Sequence, residues 1–143
     1  MNRIVCLGNS LVPADAAGPA VYRRLAATDL GPRIELVDGG AAGWALAGLL
    51  DGVGTVVFVD AVEGFGAPGQ VVTLAGEEVA ALAAATDHAV ALPEVLRMMP
   101  VTCEGPPPRV WLVGLESPAG EAAVSEAADT ARRLAREASH ATV

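Results

Sequence analysis

The chain has 143 residues, enough for one compact domain with a sizeable core, and 52% of them are hydrophobic but only 3% aromatic. Ala, Val and Leu must therefore fill the interior, while 16 glycines and 10 prolines shape the loops. A net charge of −8 without any basic stripe, the densest cluster being Arg132, Arg133 and Arg136, argues against nucleic acid as the main partner.

In chain order, Ile4 to Leu7 (IVCL) is a short apolar run that stops at Gly8-Asn9, the pattern of a buried strand and a turn. The same run is too short for a signal-peptide core, which predicts a cytoplasmic protein. Asp15 to Thr28 carries a helical stripe of Ala16, Pro19, Ala20 and Leu25. Arg33 to Val37 (RIELV) alternates like a strand and runs into the turn Asp38-Gly39-Gly40. The most apolar stretch, residues 39–50, reads GGAAGWALAGLL and ends at Asp51. A membrane span needs about 20 apolar residues, so this is read as a loop and a short buried helix from Trp44, with no membrane partner.

Thr55 to Val59 (TVVFV) is β-branched and apolar on every position, which predicts a central strand buried on both faces. It ends at Asp60. Gln70 to Leu74 (QVVTL) is a shorter strand, Glu77 to Ala85 is helical in composition, and Leu92 to Met99 is a helix opened by Pro93. Val110 to Leu115 (VWLVGL) is the last strand. Ser117-Pro118 has the chemistry of a helix N-cap followed by its first residue, launching a helix to about Ala138 with Val124, Ala127, Ala131, Leu134 and Ala135 on one face. Strands alternating with helices predict an α/β sandwich with a mostly parallel sheet, in one domain over residues 1–143.

In such a sheet, ligands bind outside the carboxyl ends of the strands. Asp15, Asp38 and Asp60 all follow strand ends, and His88 lies in a loop just before a helix. Each also has a plain structural reading. Asp15 can cap a helix, Asp38 before Gly-Gly can be a turn residue, and a loop His is commonly only solvated. Two carboxylates and an imidazole on one sheet edge would instead make a three-ligand site with open positions, suited to nickel, zinc or cadmium. The GNSLVPADAAG segment matches neither phosphate-binding glycine pattern, so nucleotide binding is rejected. Cys6 reads as a small core residue, Cys103 in PVTCEGPPP as an incidental thiol that can be exposed.

The residues so far described resemble the hydrogenase maturation proteases, the endopeptidases that trim the carboxyl terminus of nickel–iron hydrogenase large subunits. The resemblance is carried by Gly8-Asn9-Ser10-Leu11 with Asp15-Ala16-Ala17-Gly18-Pro19, by Asp38-Gly39-Gly40-Ala41-Ala42-Gly43, and by Val57-Phe58-Val59-Asp60-Ala61. It continues through His88 with Leu92, Glu94, Val95 and Leu96, and ends at Val113-Gly114-Leu115-Glu116-Ser117. It implies a three-layer α/β/α sandwich (phosphorylase/hydrolase-like) around a five-stranded, mostly parallel mixed sheet, with QVVTL as the candidate antiparallel strand. It also implies a metal site of Asp15, Asp60 and His88 that recognises nickel already inserted into the large-subunit precursor, with zinc or cadmium as surrogates.

This sequence departs from the family pattern in one loop. An acidic pair is usual where Ala14-Asp15 stands, a Gly where Ala16 stands, and a basic or polar residue where Pro13 stands. No dedicated general base can be named; Asp38 is the nearest candidate by its strand-end position. The reading expected for the chain is a metal-dependent, aspartyl-type processing endopeptidase whose substrate lies in a groove bordered by the loops after Gly8, Asp38 and Asp60. Trp44 is either an apolar contact in that groove or a core residue. The alternatives are a non-catalytic precursor- or metal-binding maturation factor on the same fold, and a metallohydrolase for a small substrate.

Overall fold

The computed structural model describes residues 1–41, 43–82 and 92–137. Its five strands are β1 (Asn2–Leu7), β2 (Ile34–Gly40), β3 (Thr55–Val62), β4 (Val71–Ala75) and β5 (Arg109–Glu116), in the spatial order β2-β1-β3-β5-β4. All neighbours pair parallel except β4 with β5. The expected central strand is central: Thr55 to Val59 is buried at every position. QVVTL, one residue later than read, is the antiparallel edge strand, where partial burial suffices.

Strand alternation sorts the apolar side chains onto two faces. On one, Ile4, Cys6, Val57, Val59, Val113 and Leu115 pack against α1 (Ala17–Ala26) and α5 (Glu121–Glu137). On the other, Val5, Leu7, Val56, Phe58, Val110 and Leu112 are covered by a 3-10 helix (Trp44–Leu50) and by α2 (Gly76–Ala80) and α3 (Leu92–Arg97), with α4 (Met99–Thr102) beside them. This is the three-layer sandwich that the resemblance implied. Small residues on α5, Ala123, Ala127, Ala128, Ala131 and Ala135, let that helix lie close to the sheet. The buried Asn2 ties the layers at the opposite edge: its amide nitrogen donates to the Ala135 carbonyl at 2.8 Å and its oxygen accepts from the Thr55 amide at 3.0 Å.

Three local expectations need correction. The first helix begins at Ala17; of the expected stripe Leu25 is buried and Ala20 packs against the core, but the fully buried positions beside Leu25 are Gly18 and Val21. Ser117 does not cap the last helix, which starts at Glu121; a cis Ser117-Pro118 bond turns the chain first. Trp44 is half exposed, and Leu46 and Leu50 fill the core in its place, so the core-packing reading of Trp44 is excluded. The 83–85 end of the second expected helix and His88 lie outside the described residues. Among the described residues, no helix is long and apolar enough to cross a membrane.

Candidate active site

The site is created by the point at which β1 leaves the sheet. β1 pairs with β3 only as far as Cys6 with Val59, whereas β3 continues beside β5 to Val62 with Glu116. Past Cys6 the register with β2 also slips, and Gly8 turns the chain at a φ of +132°. Asp60, the first residue of β3 beyond that pairing, therefore has no partner on β1. The chain from residues 9 to 15 folds back over it, and its last turn, Pro13–Asp15, packs against β3.

Two glycines make that return path. A Cβ on Gly8 would stand 2.3 Å from the Asp15 carbonyl oxygen, and one on Gly18 only 1.8 Å from the Leu7 carbonyl oxygen. The loop is then closed by its own hydrogen bonds. The Asn9 amide donates to both the Asp15 carbonyl at 3.0 Å and the Asp15 carboxylate Oδ2 at 2.9 Å. The Asn9 side chain accepts from the Leu11 amide. Asp15 is therefore not spent on capping: the N-cap of α1 is Ala16, without a side-chain bond, and Asp15 Oδ1 takes no hydrogen bond from any described residue.

The consequence is electrostatic. Burial first, then the negative charge of Asp15, pushes the Asp60 carboxyl up to about 7 against the opposing hydrogen bond from the Ala61 amide. A carboxyl poised near 7 beside a second carboxylate is a site that holds either a proton or a cation between the two. Asp15 and Asp60 are thus brought together. Asp38 pairs in register with Cys6, as Val59 does, so its side chain is on the sheet face opposite Asp60, although the charges of both reach the Cys6 thiol. Its carboxylate accepts from the Gly40 amide at 3.1 Å, the turn geometry of an Asp before two glycines.

His88 lies outside the described residues. Among the described residues no group of three His, Cys, Asp or Glu side chains is arranged to hold a metal ion. Burial first, then the charges of Asp38 and Asp60, pushes Cys6 up to about 12, and burial with Asp51 raises Cys103, which is half-buried beside Leu50 rather than free in solvent.

One acid at this edge was not singled out from the sequence as a site residue. Glu116, the last residue of β5, is buried, and its carboxylate accepts from the Gly64 amide at 2.7 Å and the Phe65 amide at 3.1 Å. The next residue, Ser117, donates its hydroxyl to the Ala14 carbonyl at 3.0 Å. The strand-end argument that picked out Asp38 and Asp60 applies equally to VWLVGLE and would have found Glu116.

A mixed α/β/α sandwich with paired acids at its carboxyl edge defines the class. Comparison with known proteins narrows it: the family model for hydrogenase maturation proteases (HycI) matches residues 19–140. The chain belongs to the hydrogenase maturation protease family. Among solved structures it is similar to the hydrogenase maturating endopeptidase HybD of Escherichia coli, with 26% identity, 95% of this chain and 92% of that one covered, and a TM-score of 0.80. It is also similar to a hydrogenase 2 maturation peptidase from a Thaumarchaeota archaeon (27% identity, 96% of each chain, TM-score 0.60). The [NiFe] hydrogenase maturation protease HycI of Thermococcus kodakarensis shares the fold (21% identity, 94% and 90% covered, TM-score 0.72). No curated protein matches the chain.

Proposed function

We propose that the protein is the endopeptidase that removes the carboxyl-terminal extension of a nickel–iron hydrogenase large-subunit precursor after nickel insertion, reading the nickel through Asp15, Asp60 and His88. The observation that carries this is the acid pair. Asp15 Oδ1 takes no hydrogen bond from a described residue, and Asp60 beside it has a raised proton affinity that a proton or a nearby cation would satisfy. Two carboxylates and an imidazole form a donor set that suits nickel.

Nickel carried by the precursor would polarise the carbonyl of the scissile peptide. The chain's own residues do the rest. The Asn9 amide fixes the orientation of Asp15, and the rigid β3 fixes Asp60. Asp60, balanced between its two protonation states near neutral pH, can take a proton from attacking water or hold one for the departing amine. The precursor's tail would lie in a groove bordered by the loops after β1, β2 and β3, and Trp44, which is exposed, could contact it there. Incubation with nickel-loaded precursor, followed by mass spectrometry, tests the reading. Loss of a short carboxyl-terminal peptide is expected, and an unchanged mass under conditions of demonstrable binding would sink it.

One observation favours a second reading. Ala14 stands where the family usually has an acid, and its carbonyl is engaged by Ser117. A non-catalytic factor that binds the nickel-loaded precursor would retain Asp15 and Asp60 yet leave the precursor uncut.

The role of His88 is tested separately. Imidazole binds metal only when neutral, so affinity for nickel should fall as pH drops below about 6.5. Replacing a neighbour of a metal ligand alone costs about 10–100-fold in affinity, so His88→Ala should weaken nickel binding at least tenfold by calorimetric titration at pH 7.5. The mutant should melt with the wild type. Equal affinities would remove His88 from the site.

A further inference from the structure

We infer that Glu116 is a positioning residue that fixes the loop between β3 and β4, and so holds Phe65 at the rim of the acid pair as an apolar contact for the precursor's tail. The inference rests on the processing function proposed above and deepens it.

β5 lies between β3 and β4, so residues 63–70 must cross over the end of β5 to join them. The crossing loop, EGFGAPGQ, is Gly-rich and carries little apolar surface of its own to hold it down. Glu116 does that. It shares the face of Asp60, two register positions further along, and its carboxylate receives two consecutive loop amides, Gly64 and Phe65. Among the described residues no Lys or Arg pairs with it. A buried carboxylate without a cation partner is costly unless its oxygens are hydrogen-bonded, so the loop and the carboxylate stabilise each other.

The backbone continues the arrangement. The Gly69 amide donates to the Glu116 carbonyl at 2.9 Å and the Glu116 amide to the Gln70 carbonyl at 2.9 Å, which fixes the far end of the loop. Ser117, one residue on, fastens Ala14 and with it the turn that carries Asp15. The end of β5 therefore joins the two loops that flank the acid pair. The large side chain that the clamped loop presents is Phe65, 38% exposed although it is aromatic and its backbone is pinned. An aromatic ring held exposed at low entropic cost, on a loop fastened to the same strand end as the turn that carries Asp15, offers a contact for a ligand's apolar side chain.

The test uses the full chain and nickel-loaded precursor, with wild type, Glu116→Gln, Glu116→Ala, Phe65→Ala and the double variant Glu116→Gln/Phe65→Ala. Gln keeps one acceptor, so Glu116→Gln should raise KM a few-fold and Glu116→Ala more, with kcat within twofold of wild type. Phe65→Ala should raise KM similarly, and the double variant should be no worse than the worse single one, since both act through the same ring. Amide exchange at Gly64 and Phe65 should quicken in the Glu116 variants, which reads the clamp without reference to activity.

A fall in kcat at constant KM, additive effects in the double variant, or unchanged amide exchange would each overturn the inference. Should Glu116→Ala fail to fold, Glu116→Gln and Phe65→Ala decide it alone. If wild type binds the precursor without cutting it, the same comparison is made on Kd and only the processing reading falls. If it neither binds nor cuts, both fall.

Discussion

Asp60→Asn should make the metal-free protein more stable at neutral pH while abolishing precursor processing. An acid whose carboxyl is pushed from 3.8 up to about 7 in the folded protein binds its proton more tightly folded than unfolded. Below pH 4 both states are protonated and the shift has no effect on stability. Between pH 4 and 7 the unfolded state ionises first, so stability falls as pH rises, and above 7 the full penalty is present. At about 1.4 kcal/mol per unit this amounts to roughly 4 kcal/mol before the screening that water reaching a half-buried group supplies.

A gain of about 1–3 kcal/mol for Asp60→Asn at pH 8 in a chelating buffer follows, vanishing by pH 4. Urea denaturation of both proteins across that range measures it. Asp15→Asn should act in the same direction but less, because burial is the larger cause and Asp15 the second. A pH-independent difference, or an Asn variant less stable at pH 8, would show that Asp60 is not under electrostatic stress. Added nickel should reverse the order, since a cation that binds only the folded wild type stabilises it by mass action.

The sequence carried the architecture because burial is written into it at each position. TVVFV is apolar at both parities and could only be a strand covered on two faces; its central place and the helix layers on either side follow from that. Asp15 and Asp60 were legible as strand-end acids, but only the family resemblance implied their meeting. It depends on β1 leaving the sheet one residue short of Asp60 and on a loop held by its own hydrogen bonds. The local errors share a cause. Ser117-Pro118 has perfect capping chemistry, yet a tertiary hydrogen bond to Ala14 took the hydroxyl first. Trp44 was read either as core or as a groove contact; it is exposed, and Leu46 and Leu50 of the same short helix fill the core. Asp38 was read both ways, and its bond to the Gly40 amide is the turn geometry.

Gly18 should be the least replaceable small residue of the fold. Gly→Ala inside a helix ordinarily stabilises by about 1 kcal/mol, because alanine has the better helix propensity and a smaller entropy loss on folding. Gly18 lies in the first turn of α1 and has no unusual backbone angle, so that gain is available to it. The added methyl, however, would stand 1.8 Å from the Leu7 carbonyl oxygen and 2.9 Å from its carbonyl carbon. Both are backbone atoms of the strand next to β3, which cannot swing aside as a side chain can. The helix must lift off the end of β1, opening the contacts of Val21 and Leu25 with the core and moving the turn that carries Asp15. Overpacking a core costs about 1–3 kcal/mol and occasionally more, and with backbone on both sides Gly18→Ala should destabilise by about 3 kcal/mol or more, with processing reduced in parallel. Gly48, in the Trp44–Leu50 helix with nothing within 4 Å of its would-be Cβ, is the matched control: Gly48→Ala should be neutral or stabilise by up to about 1 kcal/mol. Urea midpoints of the two variants against wild type decide it, and a Gly18→Ala protein as stable as Gly48→Ala would mean that α1 does not sit on the end of β1 as closely as this fold requires.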